Sequence, residues 1–179
     1  MGRLRISLLG PSAVVLDGKP VEDLNWSKVR ALLAYLAVEA DRPHRRETLS
    51  ALLWPDYPER SARTNLRNAL SALRKAIGDR ETASPSLLVT RETIQFDAAS
   101  DGWVDATAFE ELASAQDATA AQLERAIALY HGPFLDGFSV EDSPPFEDWA
   151  FGVRERLEQQ FSTALQALVA HHERSEERR

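Results

Sequence analysis

Apolar and polar positions alternate at the start of the chain. Leu4, Ile6 and Leu8 are interleaved with Arg5 and Ser7, the period of a strand. Gly10-Pro11 breaks that run, and Val14-Val15-Leu16 reads as a second strand. Asp17-Gly18 is a strong hairpin signal, with residues 21–24 as a third strand. The period then changes. Val29, Leu32, Leu33, Leu36 and Ala40 recur at helical spacing, which predicts a helix over residues 27–40 that Pro43 ends. Leu49, Leu52 and Leu53 predict a short helix over 46–53. Two prolines make 54–58 a loop, and Ala62, Leu66, Ala69, Leu70, Leu73 and Ile77 predict a helix over 59–77 with Gly78 beyond its end. Residues 87–90 and 93–96 flank Arg91-Glu92 as a short hairpin.

After residues 98–102, a natural break, the pattern is wholly helical. Helices are expected over 104–115 and 118–130, then a loop over 131–138 and a long helix over 145–173. That last helix carries Phe146, Trp149, Val153, Leu157, Phe161, Leu165 and Leu168 on one stripe. Its expected length is about 40 Å, more than two short helices can cover. Further helices beyond residue 179 are therefore expected in the parent protein. The alternatives are that the stripe self-associates or packs back on the N-terminal part. The charged end, 174–179, is expected to fray.

Composition changes this picture through its distribution. The 179 residues carry 21 Lys+Arg and 28 Asp+Glu, a net charge of −7, which argues against nucleic acid as a partner. Divided at Gly102, residues 1–100 hold 15 basic and 12 acidic side chains, and the remainder 6 and 16. A mildly basic half is joined to a strongly acidic one. The helix over 59–77 concentrates the positive charge: from Arg60 to Gly78 it holds Arg60, Arg63, Arg67, Arg74 and Lys75 and no acid. Arg60, Arg63, Arg67, Ser71 and Arg74 share the face opposite the leucines, flanked by Thr64, Asn68 and Lys75. Arg and Asn can read guanine and adenine edges, Thr and Ser can bond base or phosphate, and such a helix fits the major groove of B-DNA.

Two helices before this one and a hairpin after it make a winged helix-turn-helix, whose last helix enters the major groove. Arg45 and Arg46, after His44, stand where a helix N-terminus could meet a phosphate, and Arg91 at the hairpin tip could reach the minor groove or backbone.

Other classes fare worse. With no Cys there is no disulfide framework or thiol nucleophile. His44, His131, His171 and His172 are scattered without metal-site spacing, so no metal or catalytic site is expected. Glu110-Glu111, Asp142 and Glu147-Asp148 read as solvated acids, and Phe146 and Trp149 as core anchors. The chain contains no phosphate-cradling G-x-x-x-x-G-K-[ST] string, and no cofactor is expected. No apolar stretch is long enough to span a membrane, and the N-terminus lacks the apolar run of a secretory signal.

Several strings carry a family resemblance. Residues 4–97 resemble the winged-helix domain of the Streptomyces antibiotic regulatory protein (SARP) family, itself similar to OmpR-type DNA-binding domains. The matches are LRISLLGP from Leu4, RALLAYL from Arg30, LLWP from Leu52, SAR from Ser61 and LSALRK from Leu70. Residues 104–172 resemble the start of the bacterial transcriptional activator domain, through VDATAFE from Val104, ALYHGPFL from Ala128, Trp149 and RERL from Arg154. The resemblance implies an α+β winged helix-turn-helix domain over 1–100, followed over 101–179 by the first part of an all-α, tetratricopeptide-like domain. It implies a cytoplasmic, nucleoid-associated bacterial activator that binds promoter direct repeats as adjacent protomers. It also implies that the loop Trp54, Pro55, Asp56, Tyr57 and Pro58 touches RNA polymerase. Two departures stand out: Arg45 replaces the Ser that relatives use to cap the second helix, and the hairpin lacks their Gly-Tyr pair. The competing reading is a helical protein-interaction module with weak or vestigial DNA binding.

Overall fold

The structure is a computed structural model that describes residues 3–176. Met1, Gly2 and residues 177–179, the last part of the segment expected to fray, lie outside the described residues. Residues 174–176 are helical.

The N-terminal alternation becomes an antiparallel meander of β1 (Leu4–Ser7), β2 (Ala13–Leu16) and β3 (Lys19–Pro20). Leu4 lies opposite Leu16, and Ser7 opposite Ala13. Asp17 and Gly18 have φ of 50° and 79°, the two left-handed residues that a tight hairpin turn needs. The expected third strand over 21–24 is replaced by β3, because the two-residue turn brings the chain back at once.

Three helices follow: α1 (Ser27–Val38), α2 (Arg46–Leu53) and α3 (Glu59–Ala76). α1 is buried nearly all round, from Lys28 and Val29 through Ala31–Ala37, and forms the centre of the molecule. α3 stops where the sequence placed its end. Gly78 takes φ 61°, its N–H donates to the Lys75 carbonyl, and the Asp79 N–H donates to that of Arg74. The hairpin is β5 (Leu87–Val89) and β6 (Thr93–Phe96), joined by an unexpected strand, β4 (His44–Arg45), that pairs with β6.

The helix expected from residue 104 begins one residue later. β7 (Trp103–Val104) runs parallel to β1, with Ile6 opposite Val104, and the Arg5 guanidinium lies 4.2 Å from the Trp103 ring centre. The edge of β1 takes these residues as strand. α4 (Asp105–Ala113) and α5 (Ala120–Leu129) follow, the second opened by a reciprocal Thr119–Gln122 capping box. α6 (Pro144–Glu176) has 33 residues and is about 50 Å long, longer than expected.

α6 packs back on the rest of the chain. Phe146, Val153 and Leu157 are buried, and Trp149 lies against Tyr35, Phe134 and Phe146 while its indole N–H donates to Glu39. Phe161 stacks on Tyr130 at 4.2 Å. Beyond that contact the helix is only partly covered: Ala164 is buried and Leu168 half-buried, while Leu165 and the neighbouring Val169 are exposed. The N-terminal part is thus mixed α/β and the C-terminal part helical, with one shared core.

Candidate nucleic-acid interface

α3 separates its two faces sharply. Ala62, Leu66, Ala69, Leu70 and Leu73 are buried against α1 and α2. Arg60, Arg63, Thr64, Arg67, Asn68, Ser71 and Lys75 are exposed. Burial of the leucine stripe fixes which way the cations point, which a free amphipathic helix would not do.

The cations are not equivalent. Arg63 is held between two carboxylates, 3.1 Å from Glu47 on α2 and 2.7 Å from Glu59 one turn earlier. Arg74 turns aside: its side chain is only 25% exposed, with Nε 3.6 Å from buried Asp79. The other oxygen of Asp79 accepts the backbone N–H groups of Ser86 and Leu87. Arg74 therefore helps tie the end of α3 to the start of the hairpin. Among the described residues, Arg45, Arg60, Arg67, Lys75 and Arg91 make no ion pair. Thr64 donates its hydroxyl to the Arg60 carbonyl, which leaves the hydroxyl oxygen free to accept.

The N-terminus of α2 and the hairpin tip are tied together. The Arg46 backbone N–H donates to the Glu92 carbonyl at 3.0 Å, and its guanidinium donates to the Thr90 carbonyl at 2.8 Å. Arg45 makes no side-chain cap, and the hairpin's Glu92 carbonyl satisfies the first amide of the helix, that of Arg46, rather than the second or third that a capping Ser would take. The tip needs no glycine because the Thr90 hydroxyl accepts the N–H groups of Glu92 and Thr93. Arg91 is exposed at this tip. The Arg63–Glu47 and Arg46–Thr90 contacts bring the first half of α3, the start of α2 and the tip to one side. Lys75, at the far end of α3, lies about 22 Å from Arg60 along the axis.

The 54–58 loop divides in the same way. Trp54 is buried, 6.2 Å from Trp26 between ring centres, with the Lys28 ammonium 5.6 Å from its own. Pro55, Asp56, Tyr57 and Pro58 are exposed, and Tyr57 is about half accessible (49%). The Pro58 carbonyl accepts the Ala62 N–H and so opens α3.

Lys28 joins the two halves of the chain. Its buried ammonium donates to the Leu53 carbonyl and the Ser143 hydroxyl and lies 3.0 Å from Asp142. Asp105 makes a second junction. Its two oxygens accept the Leu8 N–H at 2.7 Å and the Leu9 N–H at 3.0 Å. Burial pushes its carboxyl above the ordinary carboxylate range, outweighing the lowering by the Leu8, Leu9 and Ala106 amides. Among the described residues no group of three or more His, Asp or Glu is placed to hold a metal. His44 bonds the Glu39 carbonyl and His171 that of Ala118. No helix of the described residues is long and apolar enough to cross a membrane.

Comparison with known proteins bears directly on the helical half. Residues 104–179 match the family model of the bacterial transcriptional activator domain. The resemblance to SARP-family regulators is borne out. Transcriptional regulatory protein EmbR of Mycobacterium tuberculosis, and that of Mycobacterium bovis, is 38% identical over 76 residues, covering 42% of this chain and 19% of the relative. A solved structure of M. tuberculosis EmbR in complex with a low-affinity phosphopeptide superimposes with a TM-score of 0.69 at 25% identity. That match covers 94% of this chain and 45% of the EmbR chain. The chain thus spans about a fifth of the length of the curated relatives it matches. These relatives are transcriptional regulators.

Proposed function

We propose that this chain is the DNA-binding and adjoining helical part of a bacterial transcriptional activator, acting in the cytoplasm on the nucleoid. α1–α3 and the β5–β6 hairpin act as a winged helix-turn-helix, and α4–α6 begin a tetratricopeptide-like domain. The observation that carries this reading is the outer face of α3: cationic, exposed, and fixed in direction by a buried leucine stripe. α3 enters the major groove through its first half, where Arg60, Thr64, Arg67 and Asn68 reach bases and phosphates. Arg63 joins them on release from Glu47 and Glu59. Ser71 and Lys75 extend the contact along the groove. Arg45 and the α2 N-terminus meet the phosphate backbone, while Arg46 mainly holds the wing. Arg91 reaches from the wing toward the neighbouring groove. Arg74 supports the site through Asp79 and contacts phosphate only at its margin.

Protomers sit side by side on promoter direct repeats, and Pro55, Asp56, Tyr57 and Pro58 face RNA polymerase above a buried Trp54. The acidic helical half keeps itself off the duplex. Pairing on repeats offsets the modest charge of one protomer.

A gel-shift titration over a range of salt tests this. The chain should bind duplex DNA at low salt, with log K falling linearly against log salt. No affinity at low salt would instead favour the protein-interaction reading, for which exposed Phe151, Leu165 and Val169 on α6 supply a surface.

A further inference from the structure

We propose that the cleft between the N-terminal sheet, α1 and the 131–138 loop binds a small apolar monocarboxylic acid, with Arg30 as the carboxylate anchor. The cleft measures about 330 Å³, at the small end of the range for ligand sites. Its walls are mainly apolar, with Ile6, Leu8, Val14, Leu33, Leu135 and Phe138 among them, and Ser12, Glu22 and Asn25 are the polar residues beside Arg30.

Arg30 is its one cationic group. The half-buried guanidinium lies 4.8 Å from the Phe138 ring centre, and one Nη donates to the Ser12 hydroxyl. Its remaining N–H donors have no protein partner among the described residues, and no carboxylate lies within ion-pair distance. Of the other half-buried arginines of the N-terminal part, Arg3 is matched to Asp17, Arg74 to Asp79 and Arg46 to the Thr90 carbonyl, while Arg5 lies over the Trp103 ring and does not line this cleft. A planar, incompletely paired guanidinium beside an apolar cavity suits a carboxylate, which it can bind in bidentate fashion. Glu22 is the acid at the cleft, exposed to solvent, and it disfavours a second negative charge on the ligand.

The cleft spans both halves of the chain. Leu135 and Phe138 come from the loop between α5 and α6, and the rest from β1, β2, the turn between them, the chain from Pro20 to Asn25, and α1. Leu135 holds a left-handed φ of 52°, and its N–H donates to the Leu8 carbonyl at 2.8 Å. A bound acid therefore clamps the helical half against the sheet.

The test is calorimetric titration of the 179-residue chain with octanoate and with the neutral, near-isosteric octanamide. Octanoate should bind saturably at one site per chain, at least about tenfold tighter than the amide. Arg30→Gln should bring the two within about twofold of each other. Amide chemical-shift changes in the unsubstituted chain should centre on Leu33 and Leu135, a readout that needs no variant to fold. Unsaturable binding, equal affinity for acid and amide, shifts centred elsewhere, or a preference that survives Arg30→Gln would each overturn the proposal.

Discussion

Arg63 and Arg67 stand one turn apart on α3 in different surroundings. Arg67 makes no ion pair among the described residues, whereas Arg63 must leave Glu47 and Glu59 before it can meet DNA. Arg67→Ala should cost about 1–3 kcal/mol on the cognate site and relax its sequence preference. Arg63→Ala should cost less, because the parent must break the Glu47 and Glu59 ion pairs on binding and the variant has none to break. Competition titrations with cognate and random duplexes measure both. Equal losses for Arg67→Ala on the two duplexes would remove its base-reading role. Lys75→Ala should weaken binding to every sequence and reduce the salt slope by about one. Arg74 was legible as a cation of the right face, but not as the partner of Asp79. The sequence shows the helical phase, whereas the pairing depends on where the chain turns after Gly78.

At the scale of elements, α2, α3 and the hairpin were legible because each has a sustained period or a marked end. β4 and β7 were not: strands of two residues have no period, and each forms only because a distant strand offers an edge. Nor was Glu47 legible as part of the interface, since it meets Arg63 across the α2–α3 crossing. Glu47→Gln should therefore raise DNA affinity and steepen the salt dependence, which a salt titration would show. Unchanged affinity would mean that Arg63 is not restrained. The start of α4 hangs on Asp105, whose separate oxygens accept two amides. Asp105→Asn offers one acceptor for two donors, so it should lower stability by about 1–3 kcal/mol. Because the Asp105 carboxyl is raised in the folded state, folding holds its proton more tightly than the unfolded chain does. Its contribution to stability is greatest below the ordinary carboxylate range. It falls as pH rises through the raised value, then levels off. Urea unfolding at a series of pH values should show that slope in the parent and not in Asp105→Asn.

For the whole molecule, the charge division at Gly102 is not a division of packing. β7 completes the first sheet, Lys28 reaches Asp142 and Ser143, and Trp149 closes over Tyr35. The stripe on α6 was legible; the surface that covers its first half was not, because the contacts of Trp149 with Tyr35 and Glu39 join residues at least 110 positions apart. One core should give one cooperative unfolding transition by calorimetry, and Trp149→Ala should lower stability by about 3 kcal/mol without splitting it. Two separate transitions would contradict a shared core. The central claim remains that α3 reads DNA. Selection of bound sequences from a random duplex pool tests it most directly. The account predicts enrichment of a defined motif at a regular repeat spacing, lost when Arg67 is replaced by Ala. An unenriched pool, or the same motif recovered by Arg67→Ala, would contradict it.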